Sequence, residues 1–394
     1  MGLSHSPSII TNGLVFCYDM NNVQKSWKGK PTTNLQLPNV IDWSNSATVT
    51  LLAELSPIGT PVYSVTDNNS GSYLASTRSI TVPNDSNTYT ISIYIKKTYG
   101  ATSTRLGFNS GFSGGTTVAY NQRFNSDTGV GTYGSTVDLG NWWRWQFQIT
   151  NNNTGNTTLY CSFYPATGFY DSGDNSAATG TAIVSSVQIE QNTFATPFVN
   201  GSRSNTQAIL DLTNNNTITA TNLTYNSNGT FSFNNGYLSV PSIDFSNEQT
   251  IEIWLKPTEN DSAKRNPYNQ AYGGYGTWTH EPNGTINYYY GDAGSDANPR
   301  YGHTSSFTVS ENEIACVCTT RNSSTSWWYK NGIQYNSYVH SFGSLAPTSA
   351  NILIGTGYAG AYVGNIYLVK LYNRALSAAE IAQNFNAIRG RYGL

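Results

Sequence analysis

The stretch Thr250-Ile251-Glu252-Ile253-Trp254-Leu255-Lys256-Pro257 reads as a β-strand. Its apolar residues at 251, 253 and 255 share one face, and a proline closes the run. Glu252 is the lone carboxylate between apolar neighbours. Similar runs recur on either side: Leu14 to Tyr18, Tyr89 to Ile95, Trp143 to Ile149, Leu159 to Phe163, Ile314 to Cys318, Ser326 to Tyr329 and Ile366 to Leu371. Turns rich in Gly, Asn and Ser separate them, the pattern of β-sandwiches. One helix is expected near the end, where Ser377-Ala378-Ala379-Glu380 forms a capping box and Ile381, Phe385 and Ile388 fall on one helical face. Its expected place is over an open end of a sandwich.

The 394 residues suffice for two domains, each with its own core. Only 11% of residues are charged and the net charge is -2, so no bulk field exists to hold a polyanion or an anionic membrane. Nucleic acid is therefore excluded as a partner. No apolar run is long enough for a membrane-spanning helix, and Met1 to Ile10 shows neither the basic nor the apolar region of a secretory signal. Tyr (28) and Trp (9) are abundant while Met (2) is scarce, which suits strands and binding surfaces. Cys17, Cys161, Cys316 and Cys318 sit inside apolar runs without metal-ligand spacing and read as small core residues.

Four segments carry a family resemblance. They are Gly236 to Val240, Thr250 to Pro257, Trp328-Tyr329-Lys330-Asn331-Gly332, and Gly364 to Tyr367 followed by Leu371-Tyr372-Asn373-Arg374-Ala375-Leu376-Ser377. In this order they resemble the laminin-G-like, or concanavalin A-like, jelly roll. Asn12 to Asp19 resembles the first strand of the same fold, yet its continuation, Asp211-Leu212-Thr213 leading to Phe231-Ser232-Phe233, comes about two hundred residues later. An insertion is inferred. The fold class expected is all-β: two β-sandwich (jelly-roll) domains, the second inserted into the first, with one short C-terminal helix. Residues 1–30 plus 203–394 form the discontinuous jelly roll and 31–202 the insert.

Within the insert, Trp142-Trp143-Arg144-Trp145 and the closing Val187-Gln188-Ile189-Glu190-Gln191 with Phe194 to Gly201 resemble carbohydrate-binding-module sandwiches of the galactose-binding-like type. The nested pair, with the tail Arg389 to Leu394, resembles structural proteins of tailed bacteriophages. That resemblance implies a virion surface protein, a capsid decoration or a head or tail appendage.

Catalysis on such a fold needs two opposed carboxylates. Glu252 stands alone on its strand, and Glu259 and Asp261 lie in an evident loop. His5, His280, His303 and His340 are scattered without a nucleophile elbow, and are expected to be hydrogen-bonded surface residues. No catalytic residue is assigned, and a non-enzymatic protein is expected.

Glycan contact is sought in aromatic residues, whose faces stack on the apolar C–H surfaces of sugars. Tyr272 to Tyr301 holds Trp278, Tyr288, Tyr289 and Tyr290; Tyr288 and Tyr290 share one face, Tyr289 takes the other, and at least one set is core. Trp143, Trp145, Phe147 and Ile149 alternate onto a core face, leaving Trp142, Arg144, Gln146 and Gln148 opposite. The glycan-binding candidates are Trp142, Arg144, Trp278, Tyr288 and Tyr290, weighed against packing of Trp142 under a loop and of the tyrosines in a core. Asp292 and Asp296 are calcium-ligand candidates, because some jelly rolls of the resembled family bind calcium at a loop. No other cofactor is expected. The expected partners are neighbouring virion subunits, host-surface polysaccharide and further copies of the chain. A secreted or cell-surface lectin-like protein is the alternative, with a glycan hydrolase a third reading.

Overall fold

The computed structural model describes residues 8–36, 39–98, 104–169, 174–245, 247–260, 263–292, 301–340 and 347–394. It is an all-β fold with one α-helix among these residues, and no helix there is long and apolar enough to cross a membrane. The chain divides into two compact units, Met1–Pro31 with Ser204–Leu394, and Thr32–Arg203.

In the discontinuous unit, a six-stranded antiparallel sheet runs in the order Leu14–Asp19, Gly364–Tyr372, Gln249–Pro257, Ala315–Arg321, Thr325–Lys330, Ile333–Val339. Among the described residues the opening strand pairs with the last, Cys17 opposite Lys370 and Asp19 opposite Leu368. A seven-stranded sheet faces it: Thr219–Thr221, Tyr237–Val240, Ile352–Ile354, Arg265–Gln270, Gly276–His280, Thr285–Tyr290, Tyr301–Thr308. Between them lie Phe16, Ile251, Ile253, Val317 and Leu371 from the first sheet and Leu238, Tyr268, Trp278, Ile286 and Tyr288 from the second.

The alternation in Gln249–Pro257 aims Ile251, Ile253 and Leu255 at this core and turns Glu252 and Trp254 to the opposite side. There the C-terminal helix, Ala378–Ile388, covers them. Trp254 stacks between Phe385 and Tyr392, with centroids 5.5 and 4.9 Å away. The helix starts where the sequence signals it: Ser377 accepts from the Glu380 amide, and the Glu380 carboxylate reaches back to the Ser377 amide at 2.9 Å. Arg374 grips the same carboxylate at 2.6 and 3.0 Å and holds its pKa down at about 2.

The inserted unit is a second sandwich. Its six-stranded sheet runs Ser135–Asp138, Trp142–Thr150, Thr88–Lys96, Gly180–Glu190, Pro61–Asp67, Thr48–Leu55. Its five-stranded sheet runs Ser44–Asn45, Ser76–Thr81, Thr158–Phe169, Thr104–Ser113, Val118–Asn125. Trp145 anchors the core between Phe124 and Phe147, at 4.9 and 4.8 Å, with Phe108 at 6.0 Å. Phe147 and Ile149 join it as the alternation requires, while Trp143 is half-buried against the core with Lys97 Nζ 3.7 Å from its ring. Thr32–Thr33 pairs with Ser202–Arg203, so the two ends of this unit lie side by side. Chain ends held together in this way let a domain sit inside another without opening either core.

The four cysteines are free and buried. Burial pushes the Cys17 thiol up to about 12 and raises the others, so none is a ready nucleophile. The histidines correct the surface expectation: His280, His303 and His340 are all buried, and His5 lies outside the described residues. His303 stacks on Tyr338 at 5.4 Å and shares a 2.9 Å hydrogen bond with Ser326. Burial, then the neighbouring His340, pushes its pKa down to about 4.

Two outcomes are expected. Residues 32–203 produced alone should be soluble and lose near-ultraviolet dichroism and tryptophan fluorescence in one coincident urea transition; non-coincident transitions would reject an autonomous unit. Between pH 6.5 and about 4 the unfolded chain binds a proton at His303 that the folded chain refuses, so stability falls as pH drops through that window. The urea midpoint should decline from pH 7 to pH 5, with a shallower decline for His303→Gln.

Candidate functional site

The residues singled out as glycan contacts are mostly interior. Trp278, Tyr288 and Tyr290 are fully buried in the discontinuous unit. Trp278 packs 5.5 Å from Trp328, and the Tyr288 and Tyr290 rings lie 4.7 Å apart. Tyr288 donates to Gln249 Oε1 at 3.0 Å, and the Arg321 guanidinium sits 5.2 Å from the Tyr290 ring. Their faces are spent on packing, and they are corrected to core residues. In the insert, Trp142 is buried against Val62 and Tyr94 with Phe198 packed on them. Arg144 donates to the Thr196 carbonyl and lies 5.6 Å from the Tyr94 ring, and Gln148 donates to the Thr193 carbonyl. The chain from Thr193 to Phe198 thus covers the supposed platform, and Trp142 and Arg144 are corrected to structural roles.

Asp292 is exposed just after the strand Thr285–Tyr290, and Asp296 lies outside the described residues. Among the described residues no group of three or more His, Cys, Asp or Glu could hold a metal ion. Glu252 is fully buried beneath the C-terminal helix, bonded to Lys370 at 2.6 Å. Glu259 pairs with Arg265 at 3.0 Å, and Asp261 lies outside the described residues.

What the interior placement of Tyr288 and Tyr290 decides is that Tyr289 faces outward. On the outer side of the seven-stranded sheet its ring meets Tyr272 at 5.1 Å, and Tyr272 meets Tyr358 at 4.2 Å. Tyr358 is 46% exposed, and the other two rings are half-buried. Each ring has a local cause. Tyr289 lies opposite Gly302, where a Cβ would stand 2.6 Å from the ring. Tyr272 follows Ala271, whose φ of 64° is a left-handed conformation that costs a non-glycine residue about 1–2 kcal/mol. Tyr358 sits on a turn pinned by the buried Asn266, which accepts from the Ala359 amide at 2.6 Å and donates to the Trp278 carbonyl at 2.8 Å.

Beside the triad runs a polar network. Glu281 Oε1 accepts from Thr279 at 2.6 Å and from Asn287 Nδ2 at 2.7 Å, and Oε2 faces Lys264 at 3.5 Å. Thr304 donates to Asn287, and Thr277 donates to Asn269. Burial raises the Tyr289 and Tyr358 phenols, keeping them protonated donors at neutral pH. Three rings at unequal angles with amide, hydroxyl, ammonium and carboxylate groups alongside can hold a ring that has an apolar face and a polar edge.

The insert presents a comparable face on its five-stranded sheet. Tyr160, Ser162 and Tyr164 alternate outward against core-facing Leu159, Cys161 and Phe163. Tyr73 meets Tyr164 edge-on at 5.9 Å. The floor between them is glycine: a Cβ at Gly107 would stand 3.2 Å from Arg123 Nη1, and one at Gly111 2.8 Å from the Tyr160 hydroxyl. Asn109, on the same strand, has a buried Oδ1 with no hydrogen-bond partner among the described residues. Arg123 is clamped by Asp174 at 2.6 and 2.8 Å, which lowers that carboxyl, and both Arg105 and Arg123 line an adjoining cleft of about 430 Å³.

Sequence reasoning singled out none of Tyr358, Tyr73, Tyr160 and Tyr164, and on Thr285–Tyr290 it chose the side that the fold buries. A signal was present: Ile286 shares the face of Tyr288 and Tyr290, marking that face as core.

A family model described as the concanavalin A-like lectin/glucanases superfamily, Laminin_G_3, matches residues 231–382. No curated protein sequence matches the chain. Among solved structures, the receptor binding domain of botulinum neurotoxin D aligns with a TM-score of 0.38 at 16% identity, over 48% of this chain and 51% of that one. The binding domain of Paraclostridial Mosquitocidal Protein 1 aligns at 0.37 and 18% identity, over 45% and 49%. The binding domain of botulinum neurotoxin DC in complex with SialylT aligns at 0.38 and 12% identity, over 47% and 50%. The matched part spans about half the length of these chains, and likeness at such scores carries no functional argument. The match covers most strands of the two facing sheets, so residues 231–382 are similar to the concanavalin A-like jelly roll.

Proposed function

We propose that this is a non-enzymatic, lectin-like binding protein that holds glycans through the Tyr272, Tyr289 and Tyr358 face, with the Tyr73, Tyr160 and Tyr164 face of the insert as a second, independent contact. The observation that carries the reading is the outward tyrosine triad beside the Glu281–Asn287–Thr304 network. Glu281 serves there as a hydrogen-bond acceptor for sugar hydroxyls. The wider setting proposed is the surface of a virion, where neighbouring subunits fix many copies and host polysaccharide is the target. Support for it is the nested pair of sandwiches, the resemblance to phage structural proteins and the weakly charged, Asn- and Thr-rich composition. Weak single contacts become useful there because linked sites meet the ligand at high effective concentration.

The test is glycan-array binding by the chain displayed multivalently on beads. Wild type should bind at least one polysaccharide class. Tyr289→Ala and Tyr358→Ala should each weaken binding about tenfold, the scale of one aromatic contact. Gly302→Ala, which keeps every tyrosine in the sequence but displaces the Tyr289 ring, should weaken it too. Unchanged binding in all three would remove the triad from the reading, and release of reducing sugar by the pure protein would overturn the non-enzymatic part. Antibody labelling should locate the chain on purified particles; labelling of a cell surface instead would favour a cell-attached lectin.

A further inference from the structure

On the helix-covered side of the six-stranded sheet, Cys17, Lys370, Glu252 and Cys318 are successive cross-strand partners. Lys370, Glu252 and the helix residue Asn384 are each fully buried. Lys370 Nζ lies 2.6 Å from Glu252 Oε1, and Asn384 Nδ2 donates to Glu252 Oε2 at 2.8 Å. One carboxylate therefore holds an amine on one oxygen and a carboxamide on the other. The carboxamide is also fixed from its far side: Oδ1 accepts the Ile10 amide at 2.8 Å, and Nδ2 donates to the Tyr372 hydroxyl at 2.9 Å. The Trp254 indole donates to Glu252 Oε1 at 3.1 Å.

This arrangement serves a lysine ammonium poorly. An ammonium offers three N–H donors, and Glu252 is its one hydrogen-bond acceptor among the described residues; its cross-strand neighbour Cys17 carries a thiol, a weak acceptor. A buried ion with unmet donors is destabilising. An amide nitrogen in the same place carries no charge and one N–H, which a single carboxylate oxygen satisfies.

We propose that Lys370 and Asn384 condense into an intramolecular isopeptide bond, with Glu252 as the proton shuttle. The Lys370 ammonium gives a proton to the Glu252 carboxylate and becomes a neutral amine. Nζ attacks Asn384 Cγ, whose carbonyl oxygen is polarised by the Ile10 N–H, and an Nζ–Cγ bond forms. Protons pass through Glu252 from Nζ to Nδ2, the Cγ–Nδ2 bond breaks, and nitrogen leaves as ammonium. Lysine ammonium plus carboxamide yields a secondary amide plus ammonium, with Glu252 again a carboxylate and no redox partner required. The helix supplies the proximity: it brings the carboxamide to the same buried carboxylate that holds the amine, turning a sluggish bimolecular condensation into an intramolecular one. The product ties the C-terminal helix covalently to the strand Gly364–Tyr372.

The experiment is intact mass and peptide mapping of the full chain. Wild type should be lighter than its sequence mass by one ammonia, about 17 Da, and digestion should give one branched peptide joining Lys370 to Asn384. Glu252→Gln should restore the full mass and two separate peptides. Should that variant fail to fold, the wild-type map decides by itself: both peptides recovered unlinked would overturn the proposal. So would ammonia loss that maps to a succinimide at an Asn-Gly pair such as Asn331-Gly332. Neither outcome touches the glycan reading, which concerns the other sheet.

Discussion

Leu14–Asp19 pairs along one side with Gly364–Tyr372 and is met on the other by Asp211 and Leu212, and the discontinuous unit is organised by the first pairing. A strand buried between a core and a covering layer cannot leave its amides unpaired, so the start of the chain must find its end. Whatever lies between must return to where it left, and the short ladder between Thr32–Thr33 and Ser202–Arg203 meets that demand. The same pairing brings Cys17 beside Lys370 and completes the polar row beneath the C-terminal helix.

That row is an uncommon way to cover a sheet. The outer side of the six-stranded sheet carries a buried carboxylate, amine and carboxamide where apolar contact would be simpler. Aromatic packing of Trp254 with Phe385 and Tyr392 supplies the apolar part of the cover. The polar centre adds directionality, because a carboxylate flanked by two nitrogen donors accepts the helix in one register. The seven-stranded sheet is treated oppositely: its outer side keeps aromatic rings at the surface, supported by a glycine, a left-handed alanine and a buried asparagine. One sheet is closed by a helix, and the other keeps aromatic rings at its surface.

The all-β class, the C-terminal helix with its Ser377 cap and the interior role of the cysteines were legible, because each follows from local periodicity or capping chemistry. The site was far less legible. Trp142 and Arg144 stand on the side of their strand that alternation marks as outward, yet the chain from Thr193 to Phe198 folds back over them. His303 and His340 looked like ordinary polar residues and are interior, since an imidazole can trade water for aromatic neighbours when it stays neutral.

By itself the sequence determined which residues alternate and where the helix begins. Only the tertiary structure decided which of two aromatic faces is covered, that Tyr272 and Tyr358 converge on Tyr289 from separate turns, and that Asn384 meets Glu252 and Lys370. The reason is physical. Strand periodicity assigns side chains to two sides without saying what lies against either, and contacts between residues far apart in the chain exist only once the sheets have closed.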